Sequence, residues 1–365
     1  MCELTKPNYE LLLSSETLGK VVAYKQLLEA GPQQPGAYLS RQLEGVSLAD
    51  LTTEQFIGFL LKTKVPCIFA ESKLRCDGSD WTPEEVSILG DICVAVEVTV
   101  FDNGVWSTYD PQFIPYDEPF PAHLLFVPGA LLSNPNSPDL KEVLDEDKGL
   151  SFDKYATLMC RRLMPVFDYI NDTATERNKA LVTLPGIGCG LFAGDFIEVF
   201  PGYLEKTLFN ILSNNHKRWI NIDYVVFVPY KGKSTTSILG HISYRVRPYL
   251  THLKPQLSMP AIFQETHDNQ LDDFSQYHLY KLVAWDHLSY PGSDYYLGKR
   301  HTDNGVSAAA TDVMSKLLGV EGSYDGRGYY KPPKEFLIWN DVVKAYNIGL
   351  YVHQNLRVAV ETPKN

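Results

Sequence analysis

The apolar positions of the first ninety residues fall at helical spacing. Leu18, Val21, Val22, Leu27 and Leu28 recur between Ser15 and Ala30, and Gly31-Pro32 stops the run. Thr52-Thr53-Glu54-Gln55 has capping-box spacing ahead of Phe56, Phe59 and Leu60. Thr82-Pro83-Glu84-Glu85 repeats that spacing, with proline at the first helical position. Residues 32–45, rich in Gly, Pro and Gln, predict a loop. Residues 1–90 therefore predict an N-terminal helical extension.

From about residue 91 the texture becomes β-branched. Cys93 to Phe101 predicts a strand ending at the turn Asp102-Asn103-Gly104. Leu124 to Val127 predicts a short buried strand before Pro128-Gly129-Ala130. Residues 133–150 are polar and predict an exposed loop, and 152–170 a helix in which Pro165 forces a kink or turn. Strands follow at 180–184, 224–228 and 280–285. A helix carries Leu204, Leu208, Ile211 and Leu212 on one face, and another covers 305–318. Phe336 to Trp339 suggests a last strand. Strands alternating with helices predict an α/β domain over residues 91–365, its sheet covered on both faces. In such sheets ligands sit beyond the carboxyl ends of the strands.

Composition narrows the partners. The 365 residues are 44% hydrophobic and 21% charged, with a net charge of -11, which disfavours a nucleic-acid or anionic-membrane surface. No signal peptide opens the chain, and no apolar run reaches the roughly 20 residues of a membrane span. The six cysteines (2, 67, 76, 93, 160 and 189) have no zinc spacing and read as reduced thiols of an intracellular protein. No metal or cofactor is predicted.

The strongest local signal is Leu184-Pro185-Gly186-Ile187-Gly188-Cys189-Gly190-Leu191-Phe192-Ala193-Gly194. Alternating glycines after a strand let successive amides face one concavity, which suits phosphate oxygens; a tight strand-to-helix turn is the other reading. Gly188 to Ala193 also fits the dinucleotide pattern G-x-G-x-x-A. The next strand, however, ends in Pro229-Tyr230-Lys231 and lacks the carboxylate a Rossmann ribose needs. Cys189 reads as a small loop residue rather than a nucleophile.

A second loop, Trp285-Asp286-His287 through Ser293-Asp294 to Thr302-Asp303-Asn304-Gly305, gathers three aspartates among aromatics. Carboxylates can orient a guanidinium, activate water at an anomeric carbon and, when close together, split into acid and base. Each aspartate has a plainer alternative: Asp303 or Asn304 as a helix cap, Asp286 or Asp294 as turn residues. His287 is a candidate base or simply a surface or helix-facing histidine. Phe192 and Tyr230 are candidates to sandwich a ring, and Asp102 to accept from an adenine amino group or to serve its turn.

The two loops together carry a resemblance. Strand, Pro-Gly-Ile-Gly-Cys-Gly and Phe-Ala-Gly resemble the diphosphate loop of macrodomains, and Val127 to Leu132 resembles their distal-ribose loop. The carboxylate loop is similar to that of the arginine-specific macrodomain ADP-ribosylhydrolases, over about residues 91–345. The Gly-Gly-Gly-x-x-x-x-Glu-Glu signature of poly(ADP-ribose) glycohydrolases is missing. The resemblance implies a three-layer α/β/α fold with a mixed central sheet. It also implies hydrolysis of an ADP-ribose–arginine bond on a modified protein, with ubiquitin the suspected carrier and a host cell the destination of a secreted effector. Asp286, Asp294 and, third, Asp303 would be catalytic. Val127, Gly129, Ala130, Gly186, Ile187, Gly188, Cys189, Gly190, Leu191, Phe192, Tyr230 and Asn304 would bind ADP-ribose. The alternative is an ADP-ribose reader without turnover.

Overall fold

A computed structural model describes residues 6–66, 80–105, 109, 112–147, 149–252, 256–263 and 273–359. Among the described residues there are eleven strands: β1 Glu10–Ser14, β2 Cys93–Asp102, β3 Pro115–Pro128, β4 Ala180–Pro185, β5 Ile222–Val228, β6 Thr235–Leu239, β7 Ile242–Val246, β8 His278–Trp285, β9 Ser323–Tyr324, β10 Tyr330–Lys331 and β11 Leu356–Ala359. Nine of them form one sheet in the order β11-β1-β2-β3-β8-β4-β5-β7-β6, while β9 and β10 pair separately. The centre β3-β8-β4-β5-β7 is parallel; β2 and β6 run antiparallel to their neighbours. The ends of β3, β8, β4 and β5 therefore open on one edge of the sheet.

Alternation along each strand builds a core on either face. Val94, Val96, Leu124, Phe126 and Val283 point to one side, Cys93, Ala95, Leu125, Val127 and Leu282 to the other. The first face is covered by α1 Ser15–Ala30, α3 Thr53–Leu61 and α4 Pro83–Asp91, with the short α2 Ala37–Gln42 between them. The second is covered by α6 Phe152–Thr173, α7 Phe200–Asn215 and the short α5 Pro138–Val143. Two single-turn helices, α8 Tyr249–His252 and α9 Pro260–Phe263, precede β8. After it, α10 Asp303–Ala309, α11 Val313–Leu318 and α12 Trp339–Tyr346 return to the first face. The fold is thus α/β, with a large mixed sheet between helical layers.

Both capping boxes form, with Thr52 and Thr82 as caps, and Gly31 ends α1 in the left-handed conformation. Six expectations need correction. The first ninety residues are not all helical, because β1 enters the sheet between β11 and β2. Residues 32–45 include α2, and 133–150 include α5. The helix of 305–318 breaks at Ala310–Asp312, where Phe101 donates to the Ala310 carbonyl and Val100 bridges Thr311. Phe336 to Trp339 forms no strand; Trp339 begins α12 and its indole donates to the Tyr330 carbonyl at 2.9 Å. Pro165 stays within α6, which is unbroken from Phe152 to Thr173. Cys93 and Cys189 are free thiols; Cys2, Cys67 and Cys76 lie outside the described residues.

Candidate active site

The glycine loop leaves β4 at Pro185 and meets the loop after β3 backbone to backbone. A Cβ on Gly129 would stand 2.6 Å from the Gly188 Cα, and Gly188 holds φ at +74°, so neither position tolerates a side chain. The amides of Leu132 and Ser133 donate to the Phe192 carbonyl at 2.7 and 2.9 Å, locking the two loops together. Val127, Gly129, Ala130 and Ile187 are consequently behind the loop: Val127, Ala130 and Ile187 are fully buried, and none of the four lines the cleft. The amides of Ile187 and Cys189 are spent on turn bonds to the carbonyls of Pro185 and Gly186.

In front of the loop lies a cleft in two compartments that share Pro185, Gly186, Gly190 and Asp303. The smaller, of ≈410 Å³, is walled by Gly188, Leu191, Phe192, Trp285, Asp286 and Asn304. The larger, of ≈740 Å³, includes Cys189, Val228, Tyr230, Lys231, Tyr249 and Lys281. Phe192 and Tyr230 thus line different compartments and do not sandwich one ring. Burial pushes the Cys189 thiol up to about 12, and its sulfur lies 3.7 Å from the Ile187 carbonyl, so it is held as a neutral thiol.

The carboxylate loop runs from β8 to α10. Asp286 Oδ1 accepts from the amides of Leu288 and Ser289 at 2.9 and 2.8 Å, and Oδ2 from the Ser289 hydroxyl, an Asx-type turn with every donor local. Asp294 is also buried; its Oδ2 has no hydrogen-bond partner among the described residues. Burial raises the Asp294 carboxyl, with the Asp286 charge adding to it against Thr302, His301 and Lys299. Gly305 lets α10 approach that carboxyl, since a Cβ there would come within 2.8 Å of the Asp294 Cβ. Asp303 accepts from Lys281 Nζ at 2.8 Å and from the Ala284 amide at 2.9 Å. Asn304 donates to Ser293 Oγ at 2.9 Å and accepts from Thr302 Oγ1 at 2.8 Å. The cap of α10 is Thr302, not Asp303 or Asn304.

Two side chains take the plainer of the roles open to them. His287 is the helix-facing histidine, fully buried against Gly90 of α4, and its Nε2 meets Asp139 Oδ2 at 2.9 Å. Asp102 serves its turn, accepting from the Gly104 amide at 2.8 Å, and also accepts from Arg300 at 3.0 and 2.5 Å and from Tyr324 at 2.7 Å. Sequence reasoning also missed the charges that carry this loop. Arg162 donates to Asp91 and Asp139 at 3.0 and 2.7 Å and to the Gly129 carbonyl at 3.0 Å. Burial alone would raise the Asp139 carboxyl, but Arg162 and His287 outweigh it and hold it well below the usual carboxylate range. The signal available was the pair Arg161-Arg162 on the inner face of a helix. Lys281 was legible only as a cation inside an apolar strand.

Among the described residues no group of His, Cys, Asp and Glu could hold a metal ion, and no helix is long and apolar enough to cross a membrane. A search of curated proteins finds no match. The family model described as "Macrodomain effector MavL" matches residues 9–336. On that extent of match, laid over a mixed sheet with its cleft at the strand ends, the chain belongs to the MavL macrodomain-effector family, and its function is of the ADP-ribose-related macrodomain kind.

Proposed function

We propose that the protein hydrolyses the N-glycosidic bond between ADP-ribose and an arginine of a modified protein, releasing ADP-ribose. The observation that carries the reading is the contrast between Asp286, which lines the smaller compartment, and Asp294, which is buried outside the lining of both. One is held by three local donors; the other is buried with an unpartnered oxygen and a raised affinity for its proton. Environments that push two carboxyls apart are what acid–base cleavage of a glycosidic bond requires.

In this reading the larger compartment takes the adenosine against Tyr230 and Tyr249. The diphosphate crosses at the shared glycine loop, and the distal ribose enters the smaller compartment beside Phe192 and Asn304. Gly188, Gly190, Leu191 and Phe192 supply the amides facing the phosphates, because those of Ile187 and Cys189 are already engaged. The Asp286 carboxylate stabilises positive charge developing at C1 and on the guanidinium. Water attacks C1 and the C1–N bond breaks; the water proton passes to the departing guanidine nitrogen through Asp294. Asp303, paired with Lys281 at the junction, holds strand end and helix start in register and is the third member of the set. The proposed carrier is ubiquitin, met inside a host cell by a secreted effector.

A reader without turnover is the second reading. It is favoured by Asp303, both of whose oxygens are satisfied internally. Incubating the protein with an arginine-ADP-ribosylated carrier and measuring free ADP-ribose separates the two. Release supports the hydrolase, whereas tight ADP-ribose binding without release leaves the reader. Release that survives Asp286→Ala and Asp294→Ala together would overturn the assigned roles.

A further inference from the structure

The chain leaving α3 lies along the carboxylate loop. The Val65 amide donates to the Leu288 carbonyl at 3.1 Å, and the Val65 carbonyl accepts from the Tyr290 amide at 3.0 Å, a parallel bridge across Ser289. The preceding Thr63 is pinned by the Trp81 indole at 2.9 Å. Between these anchors Lys64 is 1% exposed. Its ammonium donates to the His287 carbonyl and stands 4.2 Å from the Trp285 ring centroid. It lines neither compartment of the cleft.

A buried ammonium is costly unless a counter-charge and hydrogen bonds offset its lost hydration. Burial pushes the Lys64 ammonium down to about 7, and the opposing attraction comes first from Asp286. The other titratable neighbour, the Cys93 thiol, is pushed up to about 12 by burial and carries no charge at neutral pH. The ammonium is thus fixed against the residues on either side of Asp286, the Trp285 ring before it and the His287 carbonyl after it. The amides of Leu288 and Ser289 that hold the Asp286 carboxylate belong to the stretch that Val65 clamps, so clamp and carboxylate turn form one unit.

We propose that Lys64 is a positioning residue for the reaction, its ammonium serving as the charge behind Asp286 and bracing the turn that presents this carboxylate to the cleft. The inference rests on the hydrolase reading. It assigns part of the N-terminal region to the chemistry rather than to support alone.

The test measures ADP-ribose release from an arginine-ADP-ribosylated protein between about pH 5 and about pH 9. It compares the wild type with Lys64→Met, Lys64→Gln and Lys64→Arg, with thermal unfolding and ADP-ribose titration for each. A carboxylate that loses a neighbouring cation takes up a proton at higher pH, so both charge-free variants are expected to move the acid limb up by about one pH unit. kcat is expected to fall about tenfold, with KM and the ADP-ribose Kd within about threefold. Lys64→Arg is expected to return the limb towards its wild-type position. Unchanged kcat and limb in Lys64→Met, or equal losses in all three variants with the limb unmoved, would overturn the proposal. Should Lys64→Met fail to fold, Lys64→Gln, which still donates to the His287 carbonyl, decides; failure of both charge-free variants to fold makes Lys64 a requirement of the fold and overturns a positioning role. Absence of release in the wild type overturns the hydrolase reading, and this inference with it, before any variant is compared.

Discussion

The glycine loop and the carboxylate loop follow neighbouring strands, β4 and β8, yet they are built in opposite ways. The first is a backbone device. Its shape comes from small residues, a left-handed Gly188 and the contact with Gly129, and the groups proposed to meet a ligand are amides. The second is a side-chain device. Its carboxylates are held by Ser289, Thr302 and Gly305, braced from α3 through Lys64 and Val65, and its histidine reaches Asp139 and Arg162 in the layer beyond the sheet. A backbone site can be specified by a dozen consecutive residues. A side-chain site with a perturbed acid needs support gathered from the whole chain.

Breaking the chemistry of the second loop without touching the first gives the largest expected effect. Asp286→Ala with Asp294→Ala should lower ADP-ribose release by about a thousandfold or more, while ADP-ribose affinity measured calorimetrically changes by less than about tenfold. The converse substitution, Gly188→Val, forces a β-branched side chain into a left-handed position against the Gly129 backbone. It should weaken ADP-ribose binding by about a hundredfold or more and lower turnover in proportion, since binding and chemistry then fail together. Asp139→Ala breaks the support behind the carboxylate loop. It leaves Arg162 and His287 with a buried partner missing, at a cost of about 3–5 kcal/mol in thermal or denaturant unfolding.

A fourth measurement separates general instability from damage to either loop. His123 and His278 meet at 2.8 Å near the amino end of β8, away from the cleft. Burial pushes His123 down to about 3, with the neighbouring His278 acting in the same direction. The folded state therefore binds fewer protons than the unfolded one between the ordinary histidine value and about 3. Stability is full above that ordinary value and is lost as pH falls, by about 1.4 kcal/mol per pH unit for this group. His123→Phe should flatten that slope in denaturant unfolding between about pH 6.5 and about pH 4. Smallest of all, Tyr230→Ala removes an exposed ring from the larger compartment and should weaken ADP-ribose binding a few-fold with kcat unchanged.

The same contrast explains what could be read from the chain itself. The strands β2, β3, β4, β5 and β8 and both capping boxes were legible because each depends on nearest neighbours and period. The glycine loop was legible as a wall of the cleft, but the burial of Val127, Ala130 and Ile187 behind it was not: they share the motif yet face the core. β1 escaped notice because Leu11-Leu12-Leu13 is a short apolar run with no alternation, abutting the Ser14 cap of α1. The break at Ala310–Asp312 was invisible because it is imposed by the end of β2, not by any residue unsuited to a helix. The aspartates were visible as a cluster; which of them keeps an unsatisfied oxygen depends on Thr302, Gly305 and Ser289 in three dimensions.

The pairing of Leu11 with Leu356 bears on how the molecule comes together. β1 is held between β2 and β11, so the second of its two borders closes only after β11, far along the sequence, has emerged and paired with it. Such a closure adds little to the equilibrium cost, which grows only with the logarithm of the span, but it delays completion of the sheet. In refolding experiments, hydrogen-exchange protection of Leu11 to Leu13 should therefore arrive after that of the β3-β8-β4 centre.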